Sequence, residues 1–151
     1  MVSRFEQFST AIASIHRNIQ KIERAEMAKF GLKGPHCQCL LAMLRHPEGV
    51  TASQLCEICD KDKAAISRTV AELETAGMVY REGEQGKRYR ASLKLTEAGS
   101  AAAEAVMGRA KLAVVAATGD YGREQQIQFT QTLAMLAGNL DTICREGIRE
   151  V

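Results

Sequence analysis

A mainly α-helical fold with one small β-wing is predicted for this 151-residue chain by three features of its sequence. Apolar residues recur at helical spacing over most of the length. A run of cap and stop residues punctuates Thr51 to Gly77. Only between Val79 and Leu95 does the apolar period fall to two. Taken in order, residues 51–95 read as a short capped helix, a turn, a second helix and two short strands around a Gly-rich basic tip. That is a winged helix-turn-helix unit, here flanked by N- and C-terminal helices. The expected organisation is a winged-helix, DNA-binding region over 32–96 and a helical dimerisation region formed by 1–31 and 97–151.

The first segment places Phe5, Phe8, Ile12, Ile15, Ile19 and Ile22 at spacings of three and four, a heptad-like seam that Phe30-Gly31 ends. Gly34-Pro35 opens a second helix, since a proline in the first turn lacks only an N–H that would be unpaired anyway. Cys37, Leu40, Leu41 and Leu44 form its apolar face, and His46-Pro47 with Gly49 closes it. Thr51-Ala52-Ser53-Gln54 fits a capping box, and Leu55 and Ile58 are the expected buried pair of the short helix that follows. Asp62 reads as the N-cap of the next helix, with Ile66, Val70 and Leu73 inward and Gly77 as its left-handed stop. Strands are expected over Val79–Arg81 and Tyr89–Leu95. In the second, Tyr89, Ala91, Leu93 and Leu95 alternate with Arg88, Arg90, Ser92 and Lys94. Thr96 then caps an Ala-rich helix to about 117. A last helix from about 123 repeats the three-four spacing with Phe129, Leu133, Leu136, Leu140 and Ile143.

The bulk numbers are those of an ordinary soluble globular protein, with 46% hydrophobic and 25% charged residues. A net charge of +2 carries little weight; the placement of charge carries more. From Gln85 to Lys94 the basic residues Lys87, Arg88, Arg90 and Lys94 have no acid among them. On the helix from Asp62, Lys63, Ala64, Ser67, Arg68 and Ala71 share the face opposite the apolar one. A small, polar, basic helix face suits the edges of bases in a major groove, and a basic wing suits phosphate. The expected DNA-binding residues are Gln54, Lys61, Lys63, Ala64, Ser67, Arg68, Arg81, Lys87, Arg88 and Arg90. A single winged unit leaves the terminal seams unsatisfied, so Phe5, Phe8, Ile12, Ile15, Leu133, Leu136, Leu140 and Ile143 are expected at a homodimer interface. Such a dimer suits a palindromic site in double-stranded DNA.

These elements and their wording resemble the multiple-antibiotic-resistance regulator (MarR) family. The resemblance rests on Leu32-Lys33-Gly34-Pro35, Arg45-His46-Pro47 and Thr51-Ala52-Ser53-Gln54-Leu55. It continues through Ile66-Ser67-Arg68-Thr69-Val70, Leu73-Glu74-Thr75-Ala76-Gly77-Met78-Val79 and Leu95-Thr96-Glu97-Ala98-Gly99. It implies a dimeric winged-helix regulator, a repressor, whose grip on DNA is released by a small-molecule effector, often phenolic, or by an oxidant. Family wings carry Asp-x-Arg shortly before Leu-Thr. Here those places hold Lys87 and Tyr89, with Arg88 and Arg90 out of phase, so phosphate contact is what remains expected of this wing.

Two other readings compete. Cys37, Cys39, Cys56 and Cys59 could serve a thiol-redox or metal-responsive sensor, Cys56-x-x-Cys59 having ligand-like spacing. A second CxxC is lacking, however, and the family's peroxide sensors carry their reactive cysteine in the first helix, where this chain has none. Helical spacing also puts Cys56 and Cys59 beside Leu55 and Ile58, as small core residues. The other rival is a winged-helix protein-interaction module, which should show aromatics on the outer face of helix 62–76; none is there. Five cysteines without a secretory signal point to reduced thiols. The absence of an apolar membrane span makes the cytoplasm the expected compartment. His16, His36 and His46 are scattered and fit no catalytic pattern, so no enzyme activity, cofactor or metal is expected.

Overall fold

The computed structural model of the chain describes residues 3–83 and 91–148. The elements are α1 (Arg4–Ala28), α2 (Gly34–Arg45), α3 (Ala52–Cys59), α4 (Lys63–Thr75), β1 (Val79–Glu82), β2 (Ser92–Leu95), α5 (Glu97–Thr118) and α6 (Arg123–Glu146). The mainly α fold with a two-stranded wing is thus the one expected, although Tyr89 and Arg90 lie outside the described residues. The chain divides into two compact units, Met1–Ala113 and Val114–Val151.

The first unit is built around α2. Seven of its residues are buried (His36, Cys37, Cys39, Leu40, Leu41, Ala42 and Met43), more than one apolar face can supply. A helix covered on most sides belongs at the centre of its domain. Around it close Met27 of α1, Leu55 and Cys59 of α3, Ile66, Val70 and Leu73 of α4, and Leu93 of β2. Leu32, Val50, Val79, Ala103 and Val106 complete the cluster. The N-terminal half of α1 does not share in it: Phe5, Phe8, Ile12 and Ile15 are exposed.

β1 and β2 pair antiparallel in the register Val79↔Leu95, Tyr80↔Lys94, Arg81↔Leu93 and Glu82↔Ser92. β2 is held on its other side as well. Val50 exchanges hydrogen bonds with Leu93, N to O at 3.1 Å and O to N at 2.7 Å. The preceding Gly49 has φ 105°, and a Cβ there would lie 1.8 Å from Ser92 Oγ. Only glycine permits that approach. Thr96 joins the end of α4 to the start of α5: its hydroxyl donates to Gly77 O (2.7 Å) and accepts from Gly99 N (3.0 Å). Gly77 has the positive φ, 73°, expected of a helix stop.

In the second unit α6 buries no residue. Phe129, Leu140 and Ile143 are exposed, and Leu133 and Leu136 are half-buried. The end of α5 and the first half of α6 line an apolar cleft of about 480 Å³, with Val114, Tyr121, Phe129 and Leu133 among its walls. No helix among the described residues is long and apolar enough to cross a membrane.

Candidate nucleic-acid interface

α3 starts where the capping box places it. Gln54 N donates to Thr51 Oγ1 (3.2 Å) and Thr51 N to Gln54 Oε1 (2.9 Å). Leu55 is fully buried, but Ile58 is not the second anchor that periodicity suggests. It is 48% exposed, and Cys59 takes the inward place. With two turns of helix, the inward face is set by the neighbours rather than by the apolar pattern: Cys59 turns to α2, and Ile58 is left outside. The CxxC pair accordingly splits, Cys56 and Cys59 lining different clefts.

The turn into α4 is short. Asp60 is left-handed (φ 51°), and Lys61 N donates to Cys56 O (3.1 Å). Asp62 Oδ1 then accepts from Ala65 N (2.7 Å) and caps α4. Ile66, Val70 and Leu73 are buried, while Lys63, Ala64, Ser67, Arg68 and Ala71 are all exposed. The helix is therefore seated by its apolar edge with the small basic face outward.

Two links hold α4 in place, and neither is evident from helical periodicity. His36, buried on α2, accepts from Lys33 N at Nδ1 (2.9 Å). Its Nε2 therefore carries the proton and donates to Glu72 Oε2 (2.5 Å). This hydrogen bond holds the Glu72 carboxyl below its usual range, with Lys33 and Arg68 adding smaller contributions. Glu72 is thus engaged by α2 rather than ion-paired to Arg68 on its own helix. At the other edge Arg81 Nε donates to Glu74, tying β1 to α4. A cross-strand ion pair joins Lys94 to Glu82, which raises the Lys94 pKa. Arg81 and Lys94 are therefore partly neutralised by acids that sequence distance hides.

The predicted residues do not share one cleft, and Ala64 lines neither of the two described next. Lys63, Ser67 and Arg81 meet, with Ser53 of α3, around a cleft of about 500 Å³ between α3, α4 and β1. Ser53 was not anticipated, although it sits within the capping motif. Arg68 and Lys61 instead border a second cleft of about 370 Å³, with Lys33, His36, Cys39, Cys59 and Glu72. Gln54 spends its carbonyl oxygen on the α3 cap. Lys87, Arg88 and Arg90 lie outside the described residues.

Residues 30–88 match the model of the MarR family. No curated protein matches the chain. Solved structures match over nearly the whole length. A structure of MarR is 22% identical with a TM-score of 0.79, covering 97% of this chain and 99% of that one. A MarR transcriptional regulator from Methanosarcina mazei Go1 is 20% identical, with a TM-score of 0.78 and coverage of 91% and 92%. A MarR family transcriptional regulator from Listeria monocytogenes, solved with a 26mer DNA, is 17% identical. Its TM-score is 0.76, and coverage is 94% of this chain and 96% of that one. At such identities the likeness is one of fold.

Proposed function

We propose that this chain, a winged-helix protein of the MarR fold with the MarR-family segment at residues 30–88, is a sequence-specific DNA-binding regulator of transcription. The observation that carries the reading is the outward face of α4. Lys63, Ala64, Ser67, Arg68 and Ala71 are exposed together on a helix seated by buried residues, capped at its start and strutted by His36 and Arg81. A rigid helix with a small, basic, non-aromatic face fits a major groove. Arg68 and Lys63 reach guanine edges or phosphates, and Ser67 either; Gln54, Lys61, Lys87, Arg88 and Arg90 supply phosphate contacts. Arg81 adds only what its pairing with Glu74 leaves.

The protein acts as a homodimer. A second copy covers the exposed rows Phe5, Phe8, Ile12, Ile15 and Leu133, Leu136, Leu140, Ile143, setting two copies of α4 about one DNA turn apart, ~34 Å. Its operator is then roughly palindromic. By the family resemblance it is a repressor, released by a small-molecule effector, and it works in the cytoplasm. No catalytic role is assigned.

Fluorescence anisotropy of the purified protein on DNA from its own upstream region, against a random duplex and across salt, tests this. Tight, sequence-dependent binding is expected, weakening by about 0.9 log unit per log unit of salt for each phosphate contact. Weak binding equal on both duplexes would overturn the reading for that DNA, and the same result across a randomised-duplex selection would overturn it altogether.

A further inference from the structure

Arg68, the only arginine of α4, is followed one helical turn later by Glu72. At positions i and i+4 a guanidinium and a carboxylate meet on one helix face. Both side chains are exposed, and both border the 370 Å³ cleft where α4 faces the start of α2. An ion pair between them would occupy the arginine that the outward face offers to DNA. Glu72 is turned to α2 instead. Its Oε2 accepts from His36 Nε2 at 2.5 Å, and among the described residues this is its ion-pair contact. The same hydrogen bond does most to lower its carboxyl, and Arg68 does least. His36 is built for this contact. Its ring is 5% exposed at the third residue of α2, and Nδ1 accepts from the N-cap Lys33 N at 2.9 Å. With Nδ1 accepting, the imidazole is neutral and its one proton sits on Nε2. A ring turned over would lose both bonds. The contact therefore fixes where the carboxylate sits without cancelling its charge.

We propose that His36 is a positioning residue for DNA readout: by holding the Glu72 carboxylate on the α2 side of α4, it keeps the Arg68 guanidinium uncommitted for bases and phosphates. His36 touches no DNA in this account and acts only through Glu72. A carboxylate released from His36 has Arg68 as its nearest partner along the helix, and a guanidinium held by a carboxylate has fewer N–H groups for a guanine edge or a phosphate. The strut thus serves specificity as well as the seating of α4. Its service to specificity rests on the DNA-binding reading; the placement of Glu72 relative to Arg68 does not.

The test uses three full-length variants, His36→Phe, Glu72→Gln and the two combined, each checked for fold by circular dichroism. Phenylalanine keeps a ring at the buried position and removes the donor. Exchange of the Arg68 Nε proton with water, read by NMR on protein isotopically labelled at arginine, reports pairing without DNA. His36→Phe should slow this exchange about threefold, on the scale of an exposed ion pair, and the combined variant should return it to the wild-type rate. Glu72→Gln alone should leave it unchanged. Faster exchange in Glu72→Gln means that Glu72 already holds Arg68 in the wild type, and it overturns the proposal whether or not His36→Phe folds. An exchange rate indifferent to His36→Phe overturns it equally. Anisotropy on the upstream and random duplexes reads the consequence. His36→Phe should lose about threefold in discrimination between them, and the combined variant should regain it. A loss that the combined variant does not regain assigns His36 to the packing of α2 and overturns its positioning role. Wild-type protein that binds neither duplex overturns the DNA-binding reading, and the exchange rates then decide the placement of Glu72 by themselves.

Discussion

Seven of the twelve residues of α2 are buried, whereas α6, with 24 residues, buries none. Both helices carry regular apolar residues. The difference lies in what surrounds them: α2 is wrapped by α1, α3, α4 and β2 of its own chain, while Phe129, Leu140 and Ile143 of α6 stay exposed. A periodic apolar row establishes that a helix has something to bury, but not that the same chain supplies the cover. The winged unit buries its apolar faces within the chain; the last helix leaves most of its apolar row exposed.

The largest effect expected from this contrast is on α2. Leu40→Ala removes a fully buried side chain from the centre of the cluster and should lower unfolding free energy by about 2–5 kcal/mol, read by urea denaturation. A change below about 0.5 kcal/mol, the scale of surface substitutions, would break the comparison. Leu140→Glu, on exposed α6, should leave the folded helical signal nearly intact while light scattering shows the dimer mass halved. A mass unchanged by the charge would remove α6 from the interface.

Arg68→Ala, on the outward face of α4, should spare stability and cost about 1–3 kcal/mol of discrimination between operator and random DNA. Arg88→Ala in the wing should instead weaken all sequences and flatten the salt slope. Equal losses on both duplexes for Arg68→Ala would take it out of base readout. The smallest effect concerns the His36–Glu72 strut. The folded-state pKa of Glu72 lies below its ordinary 4.5, so its ionised form is favoured by folding. That contribution is fully present above pH 4.5 and is lost as pH falls through the depressed value. Wild type and Glu72→Gln should therefore differ in thermal midpoint at neutral pH and converge below the folded pKa. A gap that persists in acid would assign the difference to shape rather than charge.

Much of this was readable in the chain. Caps at Thr51 and Asp62, the stop at Gly77 and the Thr96 start of α5 are local events, decided within four residues, and local chemistry writes them plainly. So too the inward residues Ile66, Val70 and Leu73, since a helix of three turns averages out accidents of packing. Ile58 shows where that fails, in a helix of eight residues. What the text concealed were contacts between distant residues: His36 with Glu72, Arg81 with Glu74, and Val50 with Leu93. Each joins groups whose partnership depends on how helices cross.

Thr96 has a mechanical meaning beyond its role as a cap. One hydroxyl spans Gly77, just past α4, and Gly99, in the first turn of α5, and Thr96 N also donates to Met78 O (3.0 Å). The end of one helix and the beginning of the other are tied at a single joint by these three hydrogen bonds. Two of them pass through one hydroxyl that lies outside the buried cluster, so removing it would loosen the joint while leaving the packing around α2 in place.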